Sequence, residues 1–166
     1  MEKKIFFVTI ILAIMVCLPA AQAFTVDLVD ISISQTGDAS VQMNYTLNPV
    51  ELGVYHVASM VMDTKSVAKE RLEQTFHKEV TVQNLNPDSA QYSVYDFAQI
   101  DNGTYITPEF RFSDADKLFD ENLMWIKNAL SISFIPKMTT IRFFDGYTES
   151  FPELGDVPVI NHKIES

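Results

Sequence analysis

Apolar and polar residues alternate from the first positions after Ala23. Over Thr25–Gln35 the apolar set is Val26, Leu28, Val29, Ile31 and Ile33, and its phase slips by one at Leu28–Val29, as a β-bulge would make it slip. Thr36-Gly37-Asp38 reads as a turn. Beyond it Val41, Met43, Tyr45 and Leu47 alternate with Ser40, Gln42, Asn44 and Thr46, which predicts a hairpin with one buried face. The period then changes. Asn48 can cap a helix, Pro49 occupies a first-turn position that needs no N–H, and Glu51 can reach back to the cap. The helical region is expected to run to Phe76 with an interruption near Asp63-Thr64. Its second half places Ala68, Leu72 and Phe76 on one stripe, with Lys69, Glu70 and Glu73 outside it.

Two strand-like runs follow, Lys78–Leu85 and Tyr92–Ile100, separated by the turn composition Asn86-Pro87-Asp88-Ser89. Asn102-Gly103 is a strong hairpin signal, because both residues tolerate the positive φ of a tight turn. Tyr105–Phe112 is expected to point Ile106, Pro108, Phe110 and Phe112 inward. Pro108 lacks an N–H, so this strand belongs at an edge or carries a bulge. Ser113-Asp114-Ala115-Asp116 opens a second helical segment whose stripe is Ala115, Leu118, Phe119 and Met124. Leu130, Ile132 and Phe134 alternate as another strand, and Thr139–Phe144, Asp145-Gly146 and Tyr147–Phe151 form a last hairpin. One short strand is expected within Val157–Ile164. Strands joined by tight turns imply an antiparallel sheet, and two helical segments must bury their stripes on it. The fold class is therefore α+β, a single domain over residues 24–166.

The N-terminus changes where that domain is expected to work. Lys3 and Lys4 precede the 14-residue apolar run Ile5–Leu18, and Pro19 then leaves Ala21 and Ala23 as an Ala-x-Ala cleavage site. Residues 1–23 therefore read as a signal peptide removed after Ala23, since the run is short of the ~20 residues a spanning helix needs. Uncleaved, Ile5–Ala23 would be a poor single membrane anchor. The only cysteine, Cys17, lies inside the run behind Val16, where a lipid-attachment cysteine wants a small residue. The mature chain then has no cysteine, so its stability must come from packing and not from disulfides.

The whole chain has 12 basic and 22 acidic residues; Lys3, Lys4 and Glu2 precede Ala23, which leaves 10 and 21 and a net charge of −11. Such a balance argues against nucleic acid and anionic lipid surfaces, and favours solubility in an extracellular or salty medium.

Catalytic and metal chemistry is thinly represented. His56, His77 and His162 form no His-x-x-x-His or Glu-x-x-His pair, and no Gly-x-Ser-x-Gly elbow or glycine-rich phosphate loop occurs. Asp114, Asp116, Asp120 and Glu121 imitate the opening of a calcium loop. Phe119 stands where that loop needs glycine and Trp125 where it needs a bidentate acid, so first-turn acids on a solvated face explain them better. No catalytic residue, cofactor site or metal site is assigned. Asp96, between Tyr95 and Phe97, is expected as a partly buried acid with a hydroxyl partner. With His56 or His162 it is the least implausible centre for a hydrolase.

Two sequons occur, Asn102-Gly103-Thr104 at a hairpin tip and Asn44-Tyr45-Thr46 on a strand. Asn102 is the better glycosylation candidate. The adjacent Phe143 and Phe144 must point to opposite faces of a strand, so one of them either meets solvent or lies beneath a helix. Phe144, Tyr147 and the Pro108-bearing strand are the candidate interaction surface. A small-ligand carrier would instead use a helix–sheet pocket lined by Met60, Met62 and Trp125.

Three segments carry a resemblance: Ile31–Glu51 (Ser-x-Thr-Gly-Asp, then Tyr-Thr-Leu-Asn), Ile106–Asp116 (Thr-Pro-x-Phe-x-Phe-Ser-Asp-Ala) and Ile141–Phe151 (Phe-Asp-Gly-Tyr-x-x-x-Phe). With the leader they resemble small exported proteins of methanogenic archaea that have no assigned activity. The resemblance implies an archaeal cell-envelope setting and transfers no catalytic or binding residue. The expectation is a secreted or envelope-located, non-catalytic module with an interaction or structural role. An envelope protein is its expected partner, nucleic acid is not, and it meets the membrane only through an uncleaved signal.

Overall fold

The computed structural model describes residues 24–61, 63–112 and 133–164. The expected signal peptide 1–23, the segment from Ser113 with its acids Asp114, Asp116, Asp120 and Glu121, and Met62, Met124, Trp125, Leu130 and Ile132 lie outside these residues.

A six-stranded sheet organises the chain. It contains β1 (Thr25–Ile33), β2 (Ala39–Thr46), β3 (Val80–Leu85), β4 (Ser89–Val94), β8 (Met138–Phe143) and β9 (Thr148–Pro152) in the order β3-β4-β2-β1-β8-β9. Two smaller sheets hold the other strands among the described residues. One pairs β5 (Gln99–Asp101), β6 (Thr104–Ile106) and β11 (Asn161–Lys163) in the order β11-β6-β5; the other joins β7 (Phe110–Arg111) to β10 (Asp156–Val157). Helices α1 (Pro49–Val61) and α2 (Thr64–Phe76) connect β2 to β3. The class is α+β in one domain, with more strand than helix among the described residues.

Register explains the core. Ile33 aligns with Ala39 and Phe143, Ala39 with Val94, and Val94 with Val80, making one apolar row across five strands. The next row runs Ile141, Ile31, Val41, Tyr92 and Val82. Because successive side chains alternate between faces, the intervening positions Ser32, Ser40, Ser93 and Arg142 make a polar outer face. Phe97, Tyr105, Phe112, Val157 and Ile160 close the inner face from the small sheets and their loops, with Leu72 and Phe76 of α2 packed against them. Phe76 sits among aromatics, its ring 5.4 Å from Phe110, 6.3 Å from Tyr92 and 6.4 Å from Phe97.

The helix punctuation follows the sequence. Asn48 Oδ1 accepts the N–H groups of Val50 and Glu51 at 2.9 and 3.0 Å, and Glu51 Oε2 accepts the Asn48 N–H at 2.8 Å. This reciprocal pair satisfies donors that a helix start leaves orphaned. Asp63 caps α2 through Ser66, and His77 ends it in the left-handed region with φ of 53°. The β-bulge in β1 falls between Val26 and Leu28, one step before the phase slip. Its Asp27 accepts from Lys137 Nζ at 2.5 Å and from Thr46 Oγ1 at 2.8 Å, tying the bulge to β2 and to the approach of β8.

Four expectations need correction. The sheet is not wholly antiparallel, because β1 and β8 run parallel, Leu28 opposite Met138 through Ile33 opposite Phe143. Tyr92–Ile100 is two strands in different sheets, split by a turn at Tyr95-Asp96. Asp96 is exposed at φ 51°, its N–H donates to Asp38 Oδ1 at 2.8 Å, and its carbonyl accepts from Lys78 Nζ. Tyr105–Phe112 is likewise broken, with Pro108 in the gap between β6 and β7. Thr107 leaves the ladder to donate its N–H to Ile160 O and accept the Ile160 N–H on Oγ1, and the phase reverses. Tyr105 and Thr107 are buried while Ile106, Pro108 and Phe110 are half-buried; Phe112 is buried as expected. The tail makes two short strands, β10 and β11, and not one.

Candidate functional site

The β8–β9 hairpin turns at Phe144-Asp145-Gly146. Gly146 adopts φ of 94°, a region that side chains with a Cβ avoid, and its N–H donates to Phe143 O. The Tyr147 N–H donates to Asp145 Oδ1 at 3.1 Å, and the Phe143 N–H donates to Tyr147 O at 2.8 Å. These bonds fix the tip before any side chain is considered. Phe143 turns inward and is 1% exposed, whereas Phe144 turns outward and is 40% exposed, with Tyr147 beside it at 41%.

Strand β11 brings a histidine to this tip. His162 Nε2 lies 2.7 Å from Asp145 Oδ2, and its ring stacks on Tyr147 with centroids 4.1 Å apart and planes 6° from parallel. The same ring is 4.7 Å from Phe143. Across β6, Tyr105 packs 5.4 Å from Phe144 and 6.3 Å from Phe143, while its hydroxyl donates to Gln35 O at 2.7 Å. Five rings therefore converge from three strands and a turn. The hydrogen bond from His162 holds the Asp145 carboxyl below the ordinary carboxylate range, and the bond from Tyr147 Oη to Glu149 Oε1 pushes the phenol upward.

Chemically this is an oriented aromatic surface. The imidazole is engaged by Asp145 and covered by Tyr147, and the Tyr147 proton is committed to Glu149. The carboxylate that His162 meets is Asp145, whereas His56 is exposed on α1 and Asp96 occupies the Tyr95-Asp96 turn. Among the described residues there is no group of three or more His, Cys, Asp or Glu able to hold a metal ion, and no helix long and apolar enough to cross a membrane.

Of the residues singled out in the sequence, Phe144 and Tyr147 share this cluster. Pro108 is half-buried in the β6–β7 gap, outside the ring contacts that join them. Both sequon asparagines are exposed, Asn102 at φ 48° on the β5–β6 turn and Asn44 on the polar face of β2. Met60 of the expected carrier pocket is 83% exposed and lines no interior. Sequence reasoning missed Tyr105, Asp145 and His162 as members of the surface. Alternation carried a faint signal for Tyr105, whose opposite phase becomes visible once Pro108 is read as a break.

No protein-family model, curated protein or solved structure matches the chain.

Proposed function

We propose that this chain is an exported, non-catalytic module of the cell envelope or extracellular space that acts by binding another envelope protein through its aromatic hairpin tip. One observation carries the reading: Phe144 and Tyr147 stay about two-fifths exposed while packed on Tyr105 and His162. Exposed aromatics that already sit in one arrangement lose little side-chain freedom on contact, which is what makes such residues effective anchors. The leader composition supports the location, and the acidic surface disfavours nucleic acid as partner. The archaeal envelope setting belongs to the same reading.

The test is purification of the exported protein from its own host, followed by size-exclusion chromatography and mass spectrometry. The expected result is elution with a second chain in fixed ratio, lost in the Phe144→Ser/Tyr147→Ser double variant although that variant stays folded. Elution of the unaltered protein alone, at the size of one chain, overturns the reading.

A further inference from the structure

Glu51 is 8% exposed, and its carboxylate accepts two N–H groups, Asn48 at 2.8 Å on Oε2 and Phe24 at 3.2 Å on Oε1. The first bond is the helix cap. The second reaches back 27 positions to the residue that directly follows the Ala-x-Ala site. Among the described residues no lysine, arginine or histidine forms an ion pair with Glu51. A buried carboxylate without a cation is costly, and removal from water is offset only by close opposite charge and hydrogen bonds.

Phe24 is half-buried and held by several contacts. Its ring lies 5.6 Å from Tyr45 and 5.5 Å from Phe134, its carbonyl accepts the Ser133 N–H at 3.5 Å, and Thr25 bridges Ser133 in parallel. The Phe24 nitrogen is thereby fixed against the carboxylate by packing that does not depend on what precedes it.

We infer that hydrolysis of the Ala23–Phe24 bond makes Phe24 the first residue of the working protein, and that its new α-ammonium pairs with Glu51, which meets no cation among the described residues. Water adds across the amide: the C–N bond breaks, Ala23 leaves with the carboxylate, and the Phe24 nitrogen takes up protons to become –NH3+. The enzyme is an envelope signal peptidase. The hydrogen bond at 3.2 Å becomes an ion pair with little movement of either atom, and removal of the leader supplies a cation to the carboxylate that already caps α1. This inference rests on the export reading above, yet it can fail alone.

The experiment expresses the full chain with its leader, purifies the exported product and acetylates it with an N-hydroxysuccinimide ester. Mass spectrometry then reads the N-terminal residue and the acetylation rates of the α-amine and Lys163. Lys163 is exposed and serves as the internal control. An ion pair keeps an amine in its protonated, unreactive form. The Phe24 α-amine is therefore expected to react about tenfold slower in the native protein than in the unfolded one, with Lys163 changing little.

Glu51→Gln is expected to remove that protection. Should it not fold, a glycine inserted between Ala23 and Phe24, which moves the amine one residue away, must abolish protection as well. A native α-amine that reacts as fast as the unfolded one, or protection that survives the insertion, overturns the pairing while leaving export intact. A product that still begins at Met1 overturns cleavage, and the inference with it.

Discussion

His162 and Tyr147 lie ring on ring, 4.1 Å between centroids and 6° from parallel, joining the C-terminal strand β11 to the tip of the β8–β9 hairpin. The Asp145–His162 bond at 2.7 Å crosses the same junction. Replacing His162 with Ala removes both contacts at once. The expected outcome is a Tm lower by roughly 2–6 °C, read by thermal denaturation. Faster hydrogen exchange is expected at Ile164, whose N–H donates to Gly103 O at 3.1 Å, while the centre of β1 keeps its protection. Unchanged exchange at Ile164 would show that β11 is held independently of this ring.

Four aspartates among the described residues contribute to the acid limb of stability, Asp63 among them through its hydrogen bonds from Ser66. Asp145 is held below the ordinary carboxylate range mainly by His162, Asp27 mainly by the Lys137 hydrogen bond, and Asp38 mainly by Thr36. Each binds fewer protons folded than unfolded, so its contribution is complete above the unfolded value of about 3.9 and is lost as pH falls through the lower folded value. The urea midpoint should therefore hold steady down to about pH 4 and decline below it. Asp38→Asn should show a shallower decline than the parent chain. A midpoint that falls equally in both would remove Asp38 from the account.

Gly37 tests the turn that supports Tyr105. It has φ of +86°, and a Cβ there would stand 2.6 Å from Ala98 O, backbone that cannot swing away. The Ala98 N–H also donates to Gly37 O at 2.8 Å, so the two segments cannot separate without losing a bond. Gly37→Ala is expected to cost about 2–4 kcal/mol. Gly103 has φ of +77° with open space around it, so Gly103→Ala should cost only about 1–2 kcal/mol. Equal costs in denaturant titrations would mean that the close approach to Ala98 relaxes freely.

How much of this was legible in the chain depends on whether the deciding contact is local. The Asn48–Glu51 cap, the Asp63 break between α1 and α2 and the Asn102-Gly103 turn are each set by neighbours a few residues apart, and composition shows them. The split at Tyr95-Asp96 is not of that kind: alternation continues through it, and the turn is held by Asp38 and Lys78 from elsewhere. The parallel β1–β8 pair is equally hidden, since apolar alternation reports which face is buried but not which strand lies alongside. For the surface, Phe143–Phe144 announced one outward ring, whereas Tyr105 and His162 join it only through the β11–β6 pairing.

Thr139 is a site where chemistry and packing disagree. It is fully buried on β8 opposite Val29 and Phe151, and its hydroxyl has no hydrogen-bond partner among the described residues. An unsatisfied buried hydroxyl is a net loss that a methyl of the same shape avoids. Thr139→Val should therefore raise stability by about 0.5–1.5 kcal/mol, measured by urea unfolding with an unchanged slope. Destabilisation would imply that the hydroxyl finds a water or carbonyl in solution.

Phe143 and Phe144 separate folding from contact within one dipeptide. Phe143 fills the inner row beside Ile33, and truncation to Ala should cost about 3–5 kcal/mol through lost burial and the cavity left behind. Phe144 points outward onto Tyr105, so Phe144→Ala should cost less than about 1 kcal/mol. If the proposed function is right, partner retention follows the opposite order among folded proteins: Phe144→Ala loses the second chain while keeping nearly all its stability. A conservative Phe143→Leu, which keeps most of the core volume, should retain it. Loss of the partner in Phe143→Leu alone would move the contact surface away from the hairpin tip.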